Sequence, residues 1–179
     1  MLKVSSNLIC VYAKDYSCVQ VNVPIELASQ IMKWGRQNIA DRDVYSEGKE
    51  KGRENEMHVT VKYGLHTASD KELRHLFEDY HPFKVSLGKI TKFTTDDKYD
   101  VVKIDVSSDE LHDLHDVIGK TMDNTDEHPV YRPHLTISYV KKGTCEDLVG
   151  RDDFEGRNFM VDEIVFSSKS GKKNKISIK

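Results

Sequence analysis

Two stretches of the chain are written to one pattern: HVTVKY at residues 58–63 and HLTISY at residues 134–139. Setting the two histidines in register extends the match far beyond six residues. FKVSLGKITKF and FMVDEIVF both start 25 residues after their histidine, at Phe83 and Phe159, and both alternate apolar with polar residues as strands do. Each runs into a polar turn, TTDDKYD or SSKSGKKNK, before a returning strand, VVKIDVS or ISI. Two β-hairpins are expected there.

The pieces upstream match as well. CVQVNVP leads into PIELASQIMKWGRQNI, where Ile25, Leu27, Ala28, Ile31, Met32 and Trp34 supply an apolar face. VVKIDVS leads into SDELHDLHDVIGKTM, with Leu111, Leu114, Ile118 and Met122 on one face and a capping pattern from Ser107 to Glu110. Short helical segments follow each motif, SDKELRHLFEDY with Ser69 as expected N-cap and the briefer CEDLV. Each unit therefore reads strand, helix, loop, motif strand, short helix, hairpin. The units span about residues 17–107 and 100–178, share the strand VVKIDVS, and fit one domain over residues 1–179. The class is α+β. Packing alone explains why apolar positions repeat, but not why His and Thr do.

Residues two apart on a strand share a face. Strict alternation puts Glu56, His58, Thr60 and Lys62 together, and Arg132, His134, Thr136 and Ser138 together. Val59, Val61 and Tyr63, like Leu135, Ile137 and Tyr139, then face the core, with both tyrosines expected as core aromatics. If a pseudo-two-fold relates the units, the motif strands are neighbours and their polar faces line one cleft. Two histidines can divide acid and base work near neutral pH, and a Thr hydroxyl can hold a phosphate oxygen. This chemistry needs no metal. Zinc would require Cys or carboxylate partners, and only Glu56 stands well placed for that. The other histidines, His66, His75, His81, His112, His115 and His128, have no twin, and His112 and His115 sit on an acidic helix face that reads as solvated.

A net charge of -3 argues against broad binding of long nucleic acid while leaving room for a small anionic ligand. Cys10, Cys18 and Cys145 lack CxxC spacing and suit unpaired thiols in a reducing compartment. The segment NLICVYA is too short for a signal-peptide core, and nothing approaches the roughly 20 apolar residues of a membrane span. A cytoplasmic protein is expected, with no membrane partner.

On the motifs HVTVKYG and RPHLTISYV, the chain resembles the 2H phosphoesterases, a family with two His-x-Ser/Thr motifs. The resemblance implies a bilobal duplicated fold, two pseudo-symmetric antiparallel sheets flanking a central cleft with helices outside. It implies His58 and His134 as the acid-base pair, Thr60 and Thr136 as phosphate-holding hydroxyls, and no cofactor. Family activities include 2'-5' RNA ligase-like and RNA-end processing, 2',3'-cyclic phosphodiesterases, and viral enzymes that degrade cyclic oligonucleotide defence signals. GREN-EMHVTVKYGL and HPVYRPHLTISYVKKGT resemble compact bacterial or bacteriophage members, which implies an anti-CBASS nuclease acting in the host cytoplasm. A non-catalytic nucleotide-binding module is the rival class. Around the cleft, Arg132, Lys62, Ser138 and Tyr45 are expected to meet substrate, with Arg132 aimed by Pro133. The charged stretch DRDVYSEGKEKGREN at residues 41–55 reads as a loop over the cleft mouth, bringing Tyr45 for stacking and Lys49, Lys51 and Arg53 for phosphates.

Overall fold

The computed structural model describes residues 16–47, 52–94, 96–125 and 130–179. The strands are β1 (Ser17–Asn22), β2 (His58–Leu65), β3 (Phe83–Phe93), β4 (Tyr99–Ser107), β5 (His134–Lys141), β6 (Asn158–Val161), β7 (Glu163–Ser167) and β8 (Lys173–Ser177). The helices are α1 (Ile25–Asn38), α2 (Lys71–Leu76) and α3 (Asp109–Thr121), with 3₁₀ turns at Asp41–Asp43 and Glu146–Leu148.

The helix faces follow the apolar spacing. Leu27, Ala28, Ile31 and Trp34 of α1 are buried, as are Leu111, Leu114 and Ile118 of α3, whereas Ile25 is 76% exposed. Ser108 rather than Ser107 occupies the N-cap of α3, and its hydroxyl donates to Glu110 at 2.8 Å. Asp70 rather than Ser69 precedes α2 and pairs with Arg74 one turn on.

The strands form one antiparallel sheet in the order β6-β3-β4-β5-β2-β1-β7-β8. Read outwards from its middle, β5-β4-β3-β6 repeats β2-β1-β7-β8, so the duplication is visible as two four-stranded halves. They meet edge to edge at β2 and β5 through the single pair Val59–Leu135. The two sheets expected from the sequence are thus joined along one thin seam.

FMVDEIVF, expected as one strand, breaks at Asp162. Its first part, β6, pairs with β3 in one half, and its second part, β7, pairs with β1 in the other. One residue therefore links opposite ends of the sheet, and the sheet must curl until those ends approach. The hairpins β3–β4 and β7–β8 form as expected.

Helices α1 and α3 cover the apolar face at pseudo-equivalent places. A Cβ on Gly35 of α1 would lie 2.8 Å from Ile137 of β5, and one on Gly119 of α3 would lie 3.2 Å from the Lys62 ammonium of β2. Each glycine lets its helix cross close to the motif strand of the other half. One continuous core joins Val59, Val61, Leu135 and Ile137 to both helices.

Candidate active site

The two motif strands place their histidines at matching backbone positions. His58 lies opposite Asn22 of β1 and Thr60 opposite Gln20; His134 lies opposite Asp105 of β4 and Thr136 opposite Lys103. Each imidazole donates from Nδ1 to the carbonyl two residues back, His58 to Glu56 at 2.6 Å and His134 to Arg132 at 2.7 Å. A carbonyl can only accept, so in the neutral ring this bond places the proton on Nδ1 and leaves Nε2 as the acceptor in both motifs. All four motif residues are half-buried.

A cavity of about 580 Å³ is lined by three of them, His134, Thr60 and Thr136, together with Tyr63, Phe93, Tyr99, Tyr131 and Tyr139. His58 does not border it but lies close enough to act electrostatically on His134. Burial is the largest influence on His134 and lowers its pKa. The charges of Lys103 and His58 push the same way, and the Arg132 carbonyl and Asp105 oppose them. The exposed Arg132 borders this cavity and a neighbouring one of about 460 Å³.

Strict alternation fails after the Thr of each motif. Gln20 pairs with Thr60 but Val19 pairs with Lys62, so Val61 is an extra residue; Ile137 is likewise extra between Thr136 and Ser138. Each is a β-bulge, and a bulge reverses the facing of everything after it. Lys62 and Ser138 therefore turn to the buried side, at 4% and 0% exposure, and Tyr63 and Tyr139 turn to the cavity. The expected faces of all four are corrected. The Lys62 ammonium lies 3.4 Å from Nε2 of His115 on α3, although its residue still borders the cavity, and Ser138 donates to the Gly52 carbonyl at 3.2 Å.

Tyr45 lies tilted against Tyr99 at 5.2 Å, and Tyr99 meets Tyr139 edge to face at 5.5 Å, so an aromatic ladder backs one cavity wall. Arg53 is not presented to the cleft. Its guanidinium donates to the Gly35 and Ile39 carbonyls and to Asp41, closing the end of α1. Lys49, Lys51, His128 and Cys10 lie outside the described residues, and Cys18 is buried and Cys145 half-buried.

Several residues escaped the sequence reading. His115 is not on a solvated face: it donates to the Val61 carbonyl at 2.8 Å and stacks at 4.2 Å on Tyr131. Tyr131 in turn donates to the Thr60 carbonyl at 2.9 Å, and burial pushes its phenol pKa up. Lys103 and Asp105 were within reach, since aligning CVQVNVP with VVKIDVS already puts them where the first unit has Gln20 and Asn22. Among the described residues no group of three or more His, Cys, Asp or Glu is arranged to hold a metal ion, and no helix is long and apolar enough to cross a membrane.

Against known proteins, the profile of the 2'-5' RNA ligase superfamily matches residues 26–173. No curated protein matches the chain. Among solved structures it is similar to LigT of E. coli complexed with 3'-AMP, at 14% identity and a TM-score of 0.63, covering 92% of this chain and 95% of that one. TT0787 of Thermus thermophilus is similar at 14% identity and 0.60, covering 91% and 97%. Usb1 of Kluyveromyces marxianus with uridine monophosphate is similar at 12% identity and 0.58, covering 93% and 99%.

Proposed function

The chain belongs to the 2'-5' RNA ligase superfamily, the 2H phosphoesterases, and on that premise we propose that it is a metal-independent phosphodiesterase acting on a small nucleotide or oligonucleotide. One observation carries the reading: two His-x-Thr motifs, each with the same Nδ1-to-carbonyl bond, lie on strands paired across one seam. A single binding site does not call for two equivalent proton-transfer groups; moving a phosphoryl group between oxygens does.

In the simplest mechanism, a ribose 2'-hydroxyl attacks the adjacent phosphorus. One histidine accepts the hydroxyl proton as the 2'-oxygen–phosphorus bond forms, and the other donates a proton as the 5'-oxygen leaves. The products are a 2',3'-cyclic phosphate and a 5'-hydroxyl. Thr60 and Thr136 donate to the phosphate oxygens on which charge gathers, and Arg132 at the rim offers a planar cation to the same group. The tyrosines of the cavity give bases flat surfaces on which to stack. The nucleotides held by LigT and Usb1, 3'-AMP and uridine monophosphate, support a ligand of this size. Cyclic oligonucleotides of the defence-signal kind are the finer substrate proposed here, with RNA ends as the alternative.

The test is a substrate panel with EDTA present: 2',3'-cyclic mononucleotides, 2'-5' and 3'-5' oligonucleotides, cyclic di- and trinucleotides, and 2'-deoxy versions. Turnover should survive EDTA, require the 2'-hydroxyl, and fall at least about 100-fold in His58→Ala and in His134→Ala. Cleavage of cyclic oligonucleotides alone would support the defence-signal substrate, and cleavage of RNA ends the alternative. Activity abolished by EDTA and restored by zinc would overturn the mechanism. Tight binding with no product would replace it with a binding module.

A further inference from the structure

The two histidines have equivalent backbones but different neighbours. Beside His58, Gln20 Nε2 donates to Asn22 Oδ1 at 2.8 Å along β1. Beside His134, at the same register on β4, the Lys103 ammonium donates to Asp105. The duplicated frame thus repeats one side-chain contact twice, once between neutral amides and once between ions. Lys103 is 5% exposed. Its ammonium also donates to Thr91 Oγ1 at 2.6 Å and lies 4.3 Å from the centre of the Phe93 ring. That ring meets His134 edge to face at 4.8 Å. The cation is almost wholly buried beside the imidazole and held by protein groups; its residue borders the cavity of about 460 Å³, but its ammonium is committed to Thr91 and Asp105 and acts through the field it sets at His134.

We propose that Lys103 and Asp105 break the symmetry of the pair, making His134 the proton acceptor and His58 the proton donor. The proposal rests on the paired-histidine mechanism above. A buried cation disfavours a second positive charge on the adjacent ring, because little water screens the repulsion. Asp105, with half of its side chain exposed, offsets part of that field. Among the described residues, His58 on β2 also acts on His134, and Arg132 just before β5, Lys92 on β3 and His112 on α3 border the neighbouring cavity with Lys103. Lys92 is already paired with Asp100 and Glu146. The raised pKa of Tyr131 keeps its phenol neutral, and burial lowers that of His134 in the direction Lys103 requires. Neither motif alone reveals the difference, which comes from the strand next door.

Two measurements test the assignment. The first compares a diribonucleoside monophosphate with a ribonucleoside 3'-(p-nitrophenyl phosphate), whose nitrophenolate leaves without needing a proton. His58→Ala should lose at least about 100-fold on the dinucleotide yet fall by less than about tenfold on the nitrophenyl ester. His134→Ala should lose at least about 100-fold on both. The reverse pattern would overturn the assignment. The second follows the acid limb of kcat/KM against pH, where a base must be deprotonated to work. Lys103→Gln, which installs the residue of the other half, should move that limb to higher pH, and Asp105→Asn should move it to lower pH. A purely structural role would impair both variants without opposed shifts, so limbs that stay put or move together would overturn the proposal. If Lys103→Gln does not fold, the direction of the Asp105→Asn shift and the two-substrate comparison still decide. A wild type inactive on both substrates would instead refute the phosphodiesterase reading itself.

Discussion

Tyr63 and Tyr139 reach the cavity because each follows a bulged residue, Val61 or Ile137, that turns the strand over. Their rings are then the twin surfaces on which flanking bases can stack. Tyr63→Leu and Tyr139→Leu should each raise KM or the Kd of a bound nucleotide by about 5- to 150-fold, equivalent to about 1–3 kcal/mol per stacked base. Isothermal titration with a dinucleotide, set beside the Tm of each variant, separates lost stacking from lost folding. Of the motif residues, His58, Thr60, His134 and Thr136 were legible in the sequence because they precede the bulge and obey strict alternation. Lys62 and Ser138 were not, because the extra residue is specified by pairing with β1 and β4 and leaves no mark in the motif itself.

At the scale of elements, the segment between α1 and β2 is fastened at both ends of its described parts. Val44 and Arg53 form isolated bridges to Val140 and Ser138, and the Tyr45 amide donates to the Tyr139 carbonyl at 3.0 Å. Arg53, whose many donors would suit a phosphate, instead donates to the Gly35 and Ile39 carbonyls at the end of α1. Arg53→Ala should cost about 1–2 kcal/mol of stability, read as a lower urea midpoint, with KM almost unchanged. A raised KM at constant midpoint would place Arg53 in substrate binding after all. Helix and hairpin content was legible from apolar spacing. The break at Asp162 was not, since Phe159, Val161, Ile164 and Phe166 are all buried and only their pairing partners show that they belong to opposite halves.

Across the whole molecule, the two halves are bound most firmly within themselves. In one of them Asp100 of β4 sits at 1% exposure between Lys92 at 3.1 Å and Lys142 at 3.0 Å, with the Gly143 amide donating to it at 3.0 Å. Burial alone would push its pKa up, but these donors more than offset that and hold the carboxyl below its usual range. A depressed carboxylate contributes stability that is complete above its unfolded pKa and is lost as pH falls through the folded value. Tm should therefore drop as the solution is acidified below about pH 4. Asp100→Asn, which leaves the buried Lys92 short of one partner, should cost about 3 kcal/mol at pH 7 and show a shallower loss on acidification. The seam between the halves, with its single Val59–Leu135 pair, holds one histidine on each side. If two separate, identical half-chains met along such an edge, their two-fold axis would force both imidazoles to share one environment. Each would then compete equally for the same proton, and either could take either part. A continuous polypeptide releases that constraint: it lets amides accompany one ring and ions the other, so that a site built from copies acquires a direction.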